Sequence, residues 1–312
     1  MSLPESASEA IAPVSAIQAK DAANGIVAAL VAYLLWGFLP LLIHPLEAVG
    51  SIMIVAERTV YSLILLAVVL AVTGKFGEVR AFLRDGRKVR ILFLSAVLLA
   101  FNWLLYVYAV EAGQLLQASF GYFINPLVNI AMGMVLLGER QNRWQTVSIA
   151  IAVVAIAIQA AGLGGVPYIA LGLAVSFGLY GYFRKTAMLG PATGLFAETL
   201  MIAPIALVYI GYNLFTVGVG VHGDPQTLLL LVLTGPATAV PLLLFAFAVQ
   251  RLRLTTIGMF QYLAPSIQFL IAVFLFHEEL NPVRLLSFGL IWLSLAVYTA
   301  DSFRRRPRLA AA

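Results

Sequence analysis

Amides and phenols recur at helical spacing inside the apolar parts of this sequence. Ala118, Tyr122, Asn125 and Asn129 stand at i, i+4, i+7 and i+11, a single stripe of an α-helix. Ile257, Gln261, Ala264 and Gln268 repeat that spacing, with Tyr262 beside them, and Asn102 and Tyr106 form a third i, i+4 pair flanked by Trp103. A polar side chain in lipid is costly unless it finds a partner or water. Such stripes therefore face either a wet passage that handles polar solutes or a neighbouring helix that accepts their hydrogen bonds. The matched pair of stripes favours the passage.

Three charged residues fall more than one residue inside the apolar runs: Glu57, Arg58 and Glu198. Glu57 and Arg58 are adjacent, so on a helix they point ~100° apart and do not simply pair with each other. Arg58 offers two roles, an attractor for an anionic group on a solute or one half of a structural ion pair. Glu198 is the partner that the internal repeat described below suggests. Pro126 and Pro265 each remove a backbone donor in mid-segment, as do Pro204 and Pro241, and each frees a carbonyl. The first two are candidate hinges, or simply packing kinks.

Catalytic patterns are thin. His44, His222 and His277 lie at segment ends or in a loop without metal-ligand spacing, and there is no P-loop, nucleophile elbow or HExxH. Glu139 and Glu278 each close an apolar run just before the next, where a carboxylate stabilises the N-terminus of the following helix; proton coupling is the alternative. No cofactor, metal site or ATP hydrolysis is expected, and the chain reads as a non-enzyme.

The elements that must carry these residues are long and apolar. Of 312 residues 62% are hydrophobic and 11% charged, against roughly 25% charged in a soluble domain. Ten apolar runs can be placed, at 25–43, 51–73, 89–110, 115–137, 145–161, 167–183, 194–215, 226–249, 255–276 and 283–300. Most approach the ~20 residues that a helix needs to cross lipid. The sequence thus predicts an all-α integral membrane protein of ten transmembrane helices. With the N-terminus inside, 17 of the 19 Lys and Arg residues fall in cytoplasmic segments, Arg184 and Lys185 among them; only Arg58 and Arg284 do not. Both termini are then cytoplasmic in a bacterial inner membrane. The net charge of +5 resides in these short loops, which argues against nucleic acid as a partner. Residues 1–22, rich in Ala and Ser, read as a flexible tail that is retained, and residues 302–312 as a basic one. Without cysteine there is no disulfide or thiolate chemistry. Oligomeric state, monomer or homodimer, is not encoded in any visible pattern.

The chain also repeats itself. A shift of 139 residues lays Ala109 and Val110 on Ala248 and Val249, Leu115 on Leu254, Pro126 on Pro265 and Glu139 on Glu278. Shifts of 144 and 141 bring Trp36 and Gly37 onto Tyr180 and Gly181, and Glu57 onto Glu198. Two units follow, 24–162 and 166–301, each of five spans and hence oppositely oriented. Inverted repeats with a midplane site between them are a recurrent transporter architecture.

Four runs, AYLLWGFLP (32–40), NWLLYVYAV (102–110), SFGYFINPLVNIAMGMVLLGER (119–140) and RLRLTTIGMFQYLAP (251–265), resemble the RarD branch, the so-called chloramphenicol-sensitive proteins, of the EamA transporters. These belong to the drug/metabolite transporter superfamily. The resemblance covers about 24–301 and implies a permease of two inverted five-helix EamA repeats, with a pathway through the third, fourth, eighth and ninth helices among others. Related members export amino acids or other metabolites. The expected function is therefore secondary transport, by ion coupling or facilitation, exporting a small metabolite, amino acid or drug-like solute. A membrane-embedded enzyme acting on lipid-borne substrates and a non-transporting membrane interaction protein are the alternatives.

Overall fold

A computed structural model describes residues 6–111, 115–161, 168–186, 189–275 and 282–309. Among these every regular element is helical: α1 (Ser6–Ile43), α2 (Ser51–Thr73), α3 (Phe76–Leu83), α4 (Gly86–Glu111), α5 (Leu115–Leu137) and α6 (Arg143–Ala161), then α7 (Tyr168–Thr186), α8 (Pro191–Val217), α9 (Pro225–Arg251), α10 (Leu254–Phe260), α11 (Leu263–Phe274) and α12 (Pro282–Leu309). Short 3-10 turns, His44–Val49 and Gly220–Gly223, follow α1 and α8. Among the described residues each expected apolar run falls on helix, the ninth with an interruption. Six helices are long and apolar enough to span a bilayer, and two shorter apolar stretches, Gly121–Leu137 and Leu285–Asp301, accompany them. Their outer faces present bare hydrocarbon, Phe215 being 89% exposed and Val72 83%, a surface suited to lipid and not to water. This is a membrane protein.

Local chemistry sets the boundaries. Gly74 takes φ +67° after α2, and the N–H of Lys75 returns to the carbonyl of Leu70 (3.0 Å), a glycine C-cap. Asp224 accepts the N–H of Thr227 (2.8 Å) ahead of Pro225, which caps α9.

Three details depart from the sequence expectations. The 6–22 stretch, expected as a flexible tail, is the first part of α1, and its alanine content gives the reason. The ninth run is two helices, broken at Gln261 and Tyr262. Pro265 has no N–H to offer the Gln261 carbonyl four residues back, so the ladder lapses there, whereas α5 continues through Pro126. Arg184, expected in a loop, belongs to the last turn of α7 and is 1% exposed.

Packing runs chiefly across the two halves of the chain. α2 lies on α8, α6 on α12 and α5 on α10; α1 meets α9 and α11, while α7 meets α4 and α5. Close approach depends on small residues. A Cβ on Gly235 of α9 would stand 2.5 Å from the Tyr61 Cβ of α2, and the Ser62 hydroxyl donates to the Gly235 carbonyl (3.1 Å). This contact brings α2 and α9 together one turn from Arg58.

Candidate functional site

Helices of both halves enclose a central cavity of about 740 Å³, its mouth included. α1 gives Tyr33, Trp36 and Leu39, and α4 gives Asn102, Trp103 and Tyr106. Tyr122 and Asn125 come from α5, Arg58 from α2, Phe177 from α7 and Leu242 from α9; Gln261 sits at the break and Ala264, Pro265 and Gln268 on α11. The broken helix thus presents both of its sides to the cavity through Gln261 and Gln268.

The amides are held in place by bonds to backbone and to one another. Asn102 donates to the Leu173 carbonyl and the Ser176 hydroxyl, both at 2.9 Å, which ties α4 to α7. Gln268 donates to the Trp36 carbonyl (3.1 Å), tying α11 to α1. Asn129 donates to Gln261, so the two stripes touch each other directly. The Asn125 carbonyl oxygen and the Tyr33 hydroxyl are buried without a partner. The cavity therefore shares its amides with helix contacts: the two readings open from sequence describe the same residues.

Arg58 is 7% exposed and reaches the cavity along a fixed path. Its Nε donates to the Thr238 hydroxyl (2.9 Å), which itself donates to the Thr234 carbonyl (2.7 Å), and its guanidinium lies 4.6 Å from the Trp103 ring centre. Among the described residues no carboxylate is in salt-bridge range of it. Glu57 turns away to His222 Nε2 (2.6 Å) on the turn between α8 and α9.

Glu198, suggested by symmetry as the partner of Arg58, is not its partner. It is fully buried against Arg184 Nη1 (3.7 Å), the Ser95 hydroxyl (2.6 Å) and the Tyr180 hydroxyl (3.4 Å). The symmetry argument fails because Glu198 has a nearer cation in Arg184, while Glu57 is held by His222. Gly194 makes the arrangement possible: a Cβ there would lie 2.0 Å from Arg184 Nη1.

Other expected site residues lie off the cavity. Tyr262 is wholly buried beside Phe123, its ring centre 6.5 Å away, because it stands one residue, ~100°, round the helix from Gln261. Asn129 lies beneath Gln261, and Pro126 is buried in α5, where a Cβ on Gly258 would stand 2.8 Å from its carbonyl. Glu139 does accept a helix N-terminal amide, but that of Leu254 (2.8 Å) on α10 rather than that of the helix that follows it, which Asn142 caps. His44 pairs with Glu47 (2.7 Å). His277 and Glu278 lie outside the described residues. Among the described residues no group of three His, Cys, Asp or Glu side chains forms a metal site.

Sequence reasoning missed the aromatic wall and Thr238. The wall joins Tyr33, Trp36, Phe177 and Phe245, with successive ring centres 5.3–5.8 Å apart. Its signal was present in the repeat: the shift that lays Trp36 on Tyr180 also lays Tyr33 on Phe177.

The EamA-like transporter family matches residues 23–160. The chain is 38% identical over 291 residues to the protein RarD of Salmonella typhi, covering 92% of this chain and 98% of that one. It is 40% identical over 289 residues to the uncharacterized transporter YojE of Bacillus subtilis, covering 91% and 96%. A solved crystal structure superposes with a TM-score of 0.67 at 18% identity, covering 90% of this chain and 98% of the other, a likeness of fold. Similarity of this extent to named transporters, over the whole helical body that builds the cavity, means that the chain belongs to the RarD branch of the EamA-like transporter family.

Proposed function

We propose that this protein is a secondary transporter that exports a small metabolite, amino acid or drug-like solute across a bacterial inner membrane, with both termini in the cytoplasm. The single observation that carries this reading is the cavity, built from seven helices of both halves and the break before α11, with amides from each half. The packing pattern supports two inverted five-span units. α2 with α8, α6 with α12 and α5 with α10 pair equivalent segments, while α1 on α9 has its counterpart in α7 on α4. In this reading the substrate enters beside Arg58, Asn102 and Gln268 and rests against Trp103, Tyr106, Tyr122, Asn125 and Gln261. The aromatic group of Phe177, Tyr180 and Phe245 beneath must part for it to leave on the other side. Pro265, at the helix break, is the hinge.

Counterflow in proteoliposomes tests the proposal. Purified protein loaded with an unlabelled panel of amino acids, carboxylates and drug-like solutes should accumulate the labelled form of one class and not the others. Absence of any substrate-specific exchange across the panel would overturn it and leave a membrane interaction protein.

A further inference from the structure

The charge of the cavity selects among solutes. Of its fifteen lining residues one, Arg58, is charged, and none is acidic. Resting on the transport reading, we infer that the substrate class is an organic monoanion: a carboxylate or similar acid carried on a flat apolar body.

The inference begins from what Arg58 lacks. A guanidinium buried in lipid is normally neutralised, because an uncompensated charge there costs several kcal/mol. The two acids close in sequence or symmetry are both engaged elsewhere, Glu57 with His222 and Glu198 with Arg184. The protein uses only one Arg58 donor, Nε, on a neutral hydroxyl whose own proton is committed to Thr234. That anchor holds the guanidinium still, and its remaining fork of donors has no partner among the described residues. A planar fork of this kind matches a carboxylate in bidentate fashion.

The rest of the wall specifies the body. Trp103 lies across the guanidinium, and Tyr106 and Tyr122 stand beside it, their ring centres 5.6 Å apart. Rings at these positions offer apolar faces for a flat apolar or aromatic group to lie against. Asn125 contributes a buried carbonyl oxygen with no donor, a place for one N–H or O–H on the ligand. An amine has no such reception. Its ammonium would meet Arg58 across a poorly screened space, with only neutral oxygens to solvate it. A zwitterion gains at its carboxylate and loses at its ammonium.

The test is a set of ligands with one body and different charge: 3-phenylpropanoate, 3-phenylpropanamide, phenylalanine and 3-phenylpropylamine. Their binding to the purified full-length protein is measured by titration calorimetry. The carboxylate should bind at least tenfold more tightly than the amide, and the amine should bind weakest. Arg58→Gln should erase the preference of carboxylate over amide while leaving amide binding in place, and Arg58→Lys should keep the preference in reduced form. Amide binding by the Gln variant reports a folded cavity, so loss of preference is separable from loss of fold. Equal binding of carboxylate and amide, tighter binding of the amine, no binding by any of the four, or an unchanged preference in Arg58→Gln would each overturn the inference. The counterflow panel separates this from the transport reading. Exchange of amines or phenylalanine without exchange of the carboxylate sinks the substrate class alone. Arg58-dependent binding without any exchange sinks transport alone.

Discussion

Among the described residues two arginines are buried, and they differ in what stands opposite their charge. Arg184 is 1% exposed and sits against Glu198, with Ser95 and Tyr180 sharing the carboxylate and the Pro191 carbonyl accepting from Nη2 (3.2 Å). Arg58 is 7% exposed, has one neutral hydroxyl and a ring face, and opens on the central cavity. The first charge is balanced by the protein itself. The second is left for something that comes and goes. A buried ion pair fixes an arrangement of helices, here α4, α7 and α8, whereas a buried lone cation gives a site its sign.

The largest effect is expected where the balance is broken. Glu198→Ala leaves Arg184 uncompensated in the interior, a loss of about 3–5 kcal/mol, so folded yield and melting temperature in detergent should fall sharply. Replacing both partners, Arg184→Met with Glu198→Leu, should recover most of that loss, since well-packed apolar pairs often equal a buried ion pair. Failure of the double variant to recover would mean that the pair does more than hold helices. Arg58→Gln should behave in the opposite way, keeping yield and melting temperature while carboxylate binding drops tenfold or more, about 1.4 kcal/mol. If melting falls as far as in Glu198→Ala, the two arginines are alike and the contrast is lost.

A smaller effect is expected at Thr238→Val. Removing the hydroxyl that anchors Nε frees the guanidinium without removing its charge, so carboxylate affinity should weaken roughly threefold to tenfold, read by the same calorimetry. The smallest effect concerns the start of α9, the helix that carries Thr238. The Thr227 hydroxyl and then its backbone N–H hold the Asp224 carboxyl below the usual aspartate range. Its folded value is depressed, so its contribution is complete above the unfolded value of about 4. It is lost as pH falls through the lower folded value. Protection of the Thr227 and Leu228 amides, taken relative to the intrinsic exchange rate at each pH, should fall slightly on acidification below that range, and Asp224→Ala should remove the dependence.

Much of this was legible in the sequence, for physical reasons. Lipid imposes length and apolarity on a helix, so the all-helical membrane fold could be read from the apolar runs, and helical spacing put Tyr122 and Asn125 around one space with Gln261 and Gln268. The isolation of Arg58 was visible as a cation away from the basic loops. What failed involved partners distant in sequence. Glu198 was matched to Arg58 by repeat position, but an ion pair is decided by which side chains reach, and Gly194 lets Arg184 reach first. Arg184 was read as a loop charge because the last turn of a helix and the loop after it have the same composition. Tyr262 was placed on the pathway by its neighbour Gln261, although adjacent residues on a helix point ~100° apart. Glu139 was assigned to the helix next in sequence and instead serves α10, which only the fold brings near.

The most direct measurement uses the absence of cysteine from the chain. A single Ala264→Cys substitution puts one thiol on the cavity wall, where Ala264 is 8% exposed. Its rates with an anionic sulfonatoethyl and a cationic trimethylammonioethyl methanethiosulfonate, each normalised to reaction with a free thiol, report the sign of the field. With Arg58 uncompensated the anionic reagent should react several-fold faster, and the added Arg58→Gln substitution should abolish that preference. Equal normalised rates, or a preference that survives the loss of Arg58, would contradict a cavity whose sign this arginine sets.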